Sequence, residues 1–410
     1  MNLGMGEKRI LVLAGGADQI DLLKDLKDRG YYTILVDYYA NPIAKPFADK
    51  HIQESTLDKE KVLKIAIDEQ VDNVITACTD QALVTVAYVA EKLGFNKQFS
   101  YVQTLNFTNK SFMKEILMKH SIPTARFVNV SDVHDVGNEL IYPLIVKPAD
   151  SGSSKGVRKV ESENCLFKAF EEARQNSRTG DVIVEEYKTG VEISVDAFIV
   201  DGKARRLMCS EIRKSEIDGH QIIYQSCIPA IMSEKATANL DVILNQIAEA
   251  FGLNNTPLLV QTIVDGNDVW VIEFSARIGG GQKHVNVKEK TGFDILHQNV
   301  NCVLGEPVSF EIHEDKTIIS RTHLYMYPGV FDHVANIEKL LSEGMMSQFV
   351  CAKSSGTKID NVSSSACRIG SFMVKAQTRE EMERKINYIL TTLRVENSNG
   401  EDLLFRPIYQ

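Results

Sequence analysis

Short apolar runs and amphipathic stretches alternate along the first hundred residues. An apolar run at 9–14 precedes a stretch with apolar residues at helical spacing, namely Ile20, Leu22, Leu23 and Leu26. Further strands are predicted at 32–37 and 73–77, with a helix at 59–69 between them. Strands that alternate with helices predict a parallel sheet wound by helices. We therefore expect an α/β domain over residues 1–105.

The pattern changes beyond this region. A helix cap at Thr108–Ser111 predicts a helix that ends before Pro123, and strand-like segments continue to about residue 310. We expect a second domain over 106–312, with a lid subdomain over about 122–190. Strand patterns at 321–327 and 368–374 and a helix at 379–393 predict a smaller α+β domain over 313–410.

Composition and charge narrow the class of protein. The chain has 410 residues, 44% of them hydrophobic, which is ordinary for a multidomain globular enzyme. A net charge of -9 argues against nucleic acid as the main partner. The apolar run near the N-terminus is too short for a membrane span, so we expect no membrane partner and a cytoplasmic location. The seven cysteines form no Cys-x-x-Cys pair, which indicates neither a zinc site nor a disulfide framework.

A dinucleotide site is one interpretation of the first strand and its loop. Gly15 and Gly16 follow the strand, and Asp37 lies about twenty residues later, where a Rossmann acid would hold a ribose. The loop lacks Gly-x-Gly-x-x-Gly, and Asp18 would place negative charge against a pyrophosphate. The sequence therefore disfavours NAD.

A phosphate-binding loop is the strongest local signal. The strand at 142–148 delivers Lys147, and small residues with amides suited to phosphate oxygens follow it: Gly152, Ser153, Ser154, Lys155 and Gly156. This is not a Walker loop, because the lysine precedes the glycines. A surface turn is the alternative interpretation of the loop alone.

Two further clusters supply oxygen ligands. Glu185, Glu186 and Glu192 lie between two apolar strands, although such acids are often only a solvated edge. A hairpin is predicted over 259–274; with a three-residue loop at 266–268, Gln261 and Glu273 lie opposite each other, and such a pair suits Mg²⁺.

The hairpin leads into residues suited to phosphoryl transfer. Ser275 and Arg277 fall on the face of Glu273, and an arginine beside a magnesium ligand can neutralise charge on a moving phosphoryl group. Gly279, Gly280 and Gly281 let backbone amides approach a ligand, unless they form a simple hinge.

In this order, the residues resemble the ATP-grasp superfamily of carboxylate–amine ligases over roughly residues 9–310. The run Glu273–Gly281 and the segment Lys290–Asp294 are most similar to its carbamoyl-phosphate-synthase-like and L-amino-acid ligase branch. The resemblance implies an ATP-grasp fold with an N-terminal Rossmann-like domain and a smaller C-terminal α+β domain. It also implies ATP and Mg²⁺ as cofactors, with Mn²⁺ as an alternative, and an acyl-phosphate intermediate.

The resemblance also implies roles for individual residues. Lys110 and Lys147 would bind phosphates under the loop at 151–156, Glu185, Glu186 and the Lys188 backbone would meet adenine, and Glu192 would bind ribose. Gln261, Glu273 and Ser275 would hold the metal, although Glu and Asn are commoner in the family at the first and third of these positions. Arg277 would stabilise the transition state.

The sequence gives little information about the identity of the substrates. Residues 211–229, including His220, are expected near the acceptor, together with the glycines at 279–281. The partners are expected to be a small carboxylate and a small amine, and a homodimer is left open. A carboxylase acting with a separate biotin carrier, a carbamoyl-phosphate-forming enzyme and a non-catalytic nucleotide-binding regulator remain alternatives.

Overall fold

The computed structural model describes residues 8–152, 155–313 and 315–409, and it begins with a parallel sheet between helices. The sheet order is β3-β2-β1-β4, and every pairing is parallel. Successive residues of the first strand face opposite cores: Ile10 and Val12 pack with the first helix, Leu11 and Leu13 with the next two. The elements are β1 (Arg9–Leu13), α1 (Gln19–Asp28), β2 (Tyr32–Asp37), β3 (Lys50–Gln53), α2 (Lys59–Asp68), β4 (Asn73–Ile75) and α3 (Asp80–Leu93).

Two helices and a small antiparallel sheet follow. The helices are α4 (Tyr101–Thr108) and α5 (Lys110–Lys119), and the Asn109 side chain caps α5 by accepting from the backbone N–H groups of Ser111 and Phe112. The small sheet, here called the lid, has the order β5-β8-β6-β7 and packs on α6. Its elements are β5 (Phe127–Val130), β6 (Leu144–Pro148), β7 (Arg158–Val160), α6 (Glu163–Asn176) and β8 (Val182–Glu186).

An eight-stranded sheet forms the centre of the molecule. Its order is β13-β12-β9-β10-β11-β14-β19-β17, so it runs without interruption across the expected boundary near residue 313. The C-terminal region therefore extends the central sheet. The elements up to β14 are β9 (Val191–Val200), β10 (Lys203–Ile217), β11 (His220–Ile228), α7 (Glu234–Ala250), β12 (Thr256–Asp265), β13 (Asp268–Ser275), α8 (Lys283–Thr291), α9 (Ile295–Leu304) and β14 (Ile318–Leu324).

The C-terminal region packs α11 against the end of this sheet around a separate apolar core. Two short strand pairs, β15–β18 and β16–β20, complete it. The elements are β15 (Gly329–Val330), β16 (His333–Ala335), α10 (Ile337–Ser342), β17 (Gln348–Cys351), β18 (Lys358–Ile359), β19 (Gly370–Ala376), α11 (Arg379–Thr392) and β20 (Arg394–Glu396).

Most predicted elements lie within three residues of the observed bounds. The strand expected at 73–77 ends at Ile75, because Thr76 and Ala77 make other hydrogen bonds. The Thr76 hydroxyl donates to the Leu13 carbonyl at 2.7 Å, and the Ala77 N–H donates to the Gln19 side chain at 3.1 Å.

The β12–β13 hairpin has a different turn from the predicted one. Asp265 pairs with Asp268, so the loop has two residues, Gly266 and Asn267, rather than three. The register then shifts between Gln261 and Thr262, which leaves Ile272 as an extra residue in β13. Gln261 still lies opposite Glu273, as predicted, but the bulge is the reason. With a two-residue turn and no bulge, Glu273 would lie on the opposite face of the sheet from Gln261.

Across the three described segments, no helix combines the length and the apolar character that a bilayer crossing requires.

Phe274 anchors the strand that carries Glu273 and Ser275. Its side chain is 3% exposed, and its ring lies 4.6 Å from that of Phe251 and 6.4 Å from that of Phe107. We expect Phe274→Ala to lower the free energy of unfolding by about 3–5 kcal/mol, because it leaves a cavity in this core. Urea denaturation followed by circular dichroism measures the change. Phe167→Ala, at a side chain 62% exposed, is the control; equal losses in the two variants would contradict the prediction.

Candidate active site

Lys110 and Glu273 form an ion pair between the first residue of α5 and the β12–β13 hairpin. The Lys110 Nζ lies 3.0 Å from the Glu273 carboxylate and donates to the Ser151 carbonyl at 2.8 Å. Burial opposes ionisation of both groups, but each offsets this for the other. The pKa of Glu273 is lowered by Lys110 and Lys147, and the pKa of Lys110 is raised by Glu273. Lys147 therefore lies near enough to Glu273 for its charge to affect that carboxylate.

Lys147 and Glu185 form a second pair on the lid. Ile145 lies opposite Glu185 in the sheet, so Lys147, two residues on, shares the face of Glu185. Their side chains approach to 2.5 Å, and Lys147 is only 3% exposed. The structure thus brings together the two lysines and two acids that the sequence singles out from four separate segments.

Lys114 joins this cluster, although the sequence analysis did not identify it. It is 1% exposed, lies 2.6 Å from the Glu185 carboxylate and donates to the Thr124 hydroxyl at 2.8 Å. Burial raises the pKa of Glu185, but the two lysines outweigh burial and hold it at about 2. Burial lowers the pKa of Lys114 in turn. Glu185 is therefore a carboxylate shared by two cations.

Glu186 and Glu192, which lie near the link between β8 and β9, pair with other lysines. Glu186 is 3.3 Å from Lys188, and the Lys188 ammonium stands 5.8 Å from the centre of the Trp270 ring. Glu192 pairs with Lys214 at 2.5 Å. Gly190, between β8 and β9, has a φ of +132°, and a Cβ there would lie 2.5 Å from the Val264 carbonyl oxygen. The connection from lid to central sheet therefore requires glycine.

The structure describes only part of the predicted phosphate-binding loop. Ser153 and Ser154 lie outside the described residues. Gly152 accepts from the Lys155 N–H at 3.2 Å, and Gly156 has a φ of +71°. The Ser151 carbonyl bound by Lys110 places the start of this loop beside the Lys110–Glu273 pair.

Arg277 is held by a residue of the N-terminal α/β region that the sequence analysis did not identify. The first residue of α3, Asp80, accepts from the Arg277 Nε at 2.7 Å and from its Nη2, and also from the Ser275 hydroxyl. Burial opposes ionisation of Asp80, but Arg277 lowers its pKa below the ordinary range. Arg277 also donates to the Ile278 carbonyl at 2.7 Å, so within the described residues three of its five N–H groups are engaged.

The glycine run meets a second N-terminal acid. Asp18 accepts from the backbone N–H of Gly281 at 3.1 Å and from that of Gln282 at 2.8 Å. Gly279 packs against Lys283, which pairs with the buried Asp196 at 3.2 Å, and Gly280 is exposed. The amide of Gly281, expected to face substrate, is thus engaged by Asp18.

Two other residues considered in the sequence analysis make contacts within the protein. His220 lies at the tip of the β10–β11 hairpin, 3.3 Å from Arg158 of the lid. Asp37 accepts from the Gly15 N–H at 2.6 Å, and a Cβ at Gly15 would lie 2.5 Å from Pro42. Asp37 therefore holds its own glycine loop.

Two family models match parts of the chain. The model described as "D-ala D-ala ligase C-terminus" matches residues 117–272, and "L-amino acid ligase C-terminal domain 2" matches residues 322–398. The formate-dependent phosphoribosylglycinamide formyltransferase of Methanocaldococcus jannaschii is 26% identical over 339 residues, which cover 78% of this chain and 83% of that protein.

Solved structures share the fold over nearly the whole chain. The L-amino acid ligase from Bacillus licheniformis has a TM-score of 0.80 at 20% identity, covering 96% of this chain and 99% of that one. The biotin carboxylase domain of the 2-oxoglutarate carboxylase from Hydrogenobacter thermophilus, solved with MgADP, ADP and bicarbonate, has a TM-score of 0.77 at 16% identity, covering 95% and 90%. The fold is therefore shared by ligases of different substrate classes.

Lys114→Met should break a buried charge pair. We expect a loss of about 3–5 kcal/mol in the free energy of unfolding at neutral pH, because the Glu185 carboxylate then keeps only one cation. Lys119→Met, at an exposed position of the same helix, is the matched control. Urea denaturation measures both, and a Lys114→Met change no larger than the control would count against the shared carboxylate.

Glu185 should contribute a stability that depends on acid pH. Its folded pKa of about 2 lies below the ordinary 4.5, so its stabilisation is complete above the ordinary value and is lost as pH falls toward the folded one. We expect the difference in unfolding free energy between wild type and Glu185→Gln to shrink between about pH 5 and pH 3. Urea titrations across this window test it, and a constant difference would refute the assignment.

Proposed function

We propose, from the premise that this chain belongs to the ATP-grasp superfamily, that it is an ADP-forming carboxylate–amine ligase. A carboxylate attacks the γ-phosphate of ATP to form an acyl phosphate and ADP. An amine then attacks the carbonyl, forming the amide and releasing phosphate and a proton. Activation is needed because the negative charge of a carboxylate is delocalised and oxide is a poor leaving group.

The convergence of Lys110, Lys147, Glu185 and Glu273 between the lid and the central sheet supports this proposal most strongly. Two largely buried cations, held by acids and by the Ser151 carbonyl, are suited to bind the oxygens of a triphosphate. Each ammonium near a phosphate contributes about 4 kcal/mol of attraction at a separation of 4 Å, before desolvation. The residues at 151–156, which start beside Lys110, would cover the β- and γ-phosphates and exclude water from the acyl phosphate.

Glu273 and Gln261 fit a magnesium ion. Both offer oxygen atoms on one face of the hairpin, and Mg²⁺ prefers a few protein oxygens together with phosphate and water. Bound there, Mg²⁺ would screen the phosphate charge during transfer. Mn²⁺ suits the same oxygen ligands. Ser275 remains a weaker predicted ligand, because its hydroxyl reaches less far than the Asn side chain that is common at this position.

The hinge at the end of β8 would hold the nucleoside. We assign Glu185, Glu186 and the Lys188 backbone to the adenine edge and Glu192 to the ribose hydroxyls. Glu192 is paired with Lys214 in the ligand-free chain, so ribose hydroxyls would join or replace that contact. Lys114 would keep Glu185 ionised while Lys147 turns toward phosphate.

Arg277 would act on the reacting groups. Two N–H groups of its guanidinium have no partner within the described residues, which supports a role in holding the acyl phosphate and the tetrahedral intermediate, while Asp80 fixes the plane of the guanidinium. Gly280, exposed beside it, leaves room for an acceptor. The substrates are proposed to be amino-acid-like, and a cytoplasmic location and a homodimer stay predictions.

A matrix of carboxylates and amines, drawn from the amino acids, tests the reaction class. Incubation with ATP and Mg²⁺ should release ADP and phosphate only when both substrates are present, with a new amide visible by mass spectrometry. Bicarbonate is included as an alternative carboxylate. Release of AMP and pyrophosphate, or ADP release with bicarbonate alone and no amide, would overturn the proposal.

Arg277→Ala should separate catalysis from nucleotide binding. We expect kcat to fall about 10²–10³-fold with ATP affinity retained, because Arg277 is assigned to charge that develops in the transition state. Arg384→Ala, at an exposed arginine of α11, is the control. Steady-state kinetics and equilibrium ATP binding give the two readouts; a loss confined to ATP affinity would contradict this role.

A further inference from the structure

A second ligand cluster lies where the N-terminal sheet meets α8. Asp18 follows β1 and Cys78 follows β4, and these two strands are neighbours in the parallel sheet. Their carboxyl ends open at the same edge, which is the usual place for ligands in such sheets. His284, on the first turn of α8, completes the cluster, and one ligand atom from each residue lies within 4.8 Å of the others.

His284 is oriented as metal-binding histidines are. It is 5% exposed, and its Nε2 lies 2.9 Å from the Asp21 carboxylate. An N–H at Nε2 that bonds to Asp21 leaves the lone pair on Nδ1, and Nδ1 is buried with no hydrogen-bond partner among the residues that the structure describes. A carboxylate behind a histidine fixes the tautomer and the ring orientation in many metal sites.

Asp18 retains one acceptor position. Its Oδ1 accepts from the Gln282 N–H and the Gln282 side-chain amide at 2.8 and 2.9 Å, and within the described part of the chain its Oδ2 accepts only from the Gly281 N–H. A carboxylate has about four lone-pair positions, so one is left on Oδ2. A Cβ at Gly280 would lie 3.6 Å from that oxygen, and the glycine leaves this side open.

Cys78 takes a backbone conformation that is unfavourable for a side chain with a Cβ. Its φ is +61°, in the left-handed region, where a non-glycine residue costs of order 1–3 kcal/mol. This turn brings the thiol to the edge of the sheet, half-buried, beside Asp18 and His284.

We propose that Asp18, Cys78 and His284 bind a divalent ion of the zinc class, separate from the Mg²⁺ held at Gln261 and Glu273. One sulfur, one imidazole nitrogen and one carboxylate oxygen suit Zn²⁺ or Co²⁺ and not Mg²⁺. Three protein ligands leave a fourth position open toward Gly280. The scattered cysteines gave no sign of this site because its ligands come from three distant segments.

The site would connect the N-terminal sheet to the glycine run. Cys78 lies two residues before Asp80, which holds Arg277, and His284 lies two residues after Gln282, which Asp18 binds. A bound ion would therefore fix two turns that border Arg277.

Cobalt binding to the full-length protein tests the proposal. Metal-free protein is titrated with Co²⁺ in excess Mg²⁺ and ADP, with a non-thiol reductant. We expect about one Co²⁺ per chain and a thiolate-to-cobalt charge-transfer band in the near ultraviolet. Cys78→Ser should abolish the band, while Cys165→Ser, at an exposed cysteine of α6, should retain it.

Asp21→Asn distinguishes a built site from incidental thiol binding. It leaves all three ligands in place, and we expect Co²⁺ affinity to fall roughly 10–100-fold through loss of the histidine's carboxylate partner. Absence of the band in wild-type protein, its persistence in Cys78→Ser, or unchanged affinity in Asp21→Asn would each overturn the proposal. None of these readouts depends on ligase activity.

Discussion

The arrangement of the cleft depends on buried lysines that are never left without anions. Lys110, Lys114 and Lys147 are all largely or fully buried, and in the ligand-free chain each of them is paired with Glu273 or Glu185. A buried unpaired ammonium would lose its proton or destabilise the fold by several kcal/mol. The acids therefore hold the lysines in place, and in the proposed nucleotide complex phosphate oxygens would replace carboxylate oxygens.

The same exchange explains why one carboxylate faces two lysines. If Glu185 were paired with Lys147 alone, movement of Lys147 toward a phosphate would leave a buried carboxylate unpaired. Lys114 removes this penalty, because it stays 2.6 Å from Glu185 and is anchored by Thr124. Glu273 would also lose its lysine partner when Lys110 moves toward a phosphate. A magnesium ion would then replace Lys110 as its partner. The two acids are thus prepared for different partners in the loaded state.

The sequence predicted the elements and the order of the charged residues better than it predicted their contacts. Lys147 and Glu273 lie on strands whose pattern is plain, whereas Lys114 resembles any polar residue of an amphipathic helix. Asp18 and Asp80 were missed as partners because contacts across 197 to 264 residues leave no local pattern. The correct pairing of Gln261 with Glu273 rested on a three-residue loop, while the chain uses a two-residue turn and a bulge. Periodicity cannot distinguish these routes, since both place the same pair opposite each other.

The contribution of the N-terminal sheet follows from its topology. Parallel strands expose their carboxyl ends at one edge, and the loops after β1 and β4 there supply Asp18, Cys78 and Asp80. Each contacts or adjoins the segment 275–284, which begins at the end of the β12–β13 hairpin. The lysines proposed to bind phosphates lie on α5 and on the lid, but the guanidinium plane of Arg277 is set by Asp80 at the start of α3. Nucleotide binding and transition-state positioning are therefore assigned to different parts of the fold, so a change in the packing of β1 and β4 would alter the second while leaving the first intact.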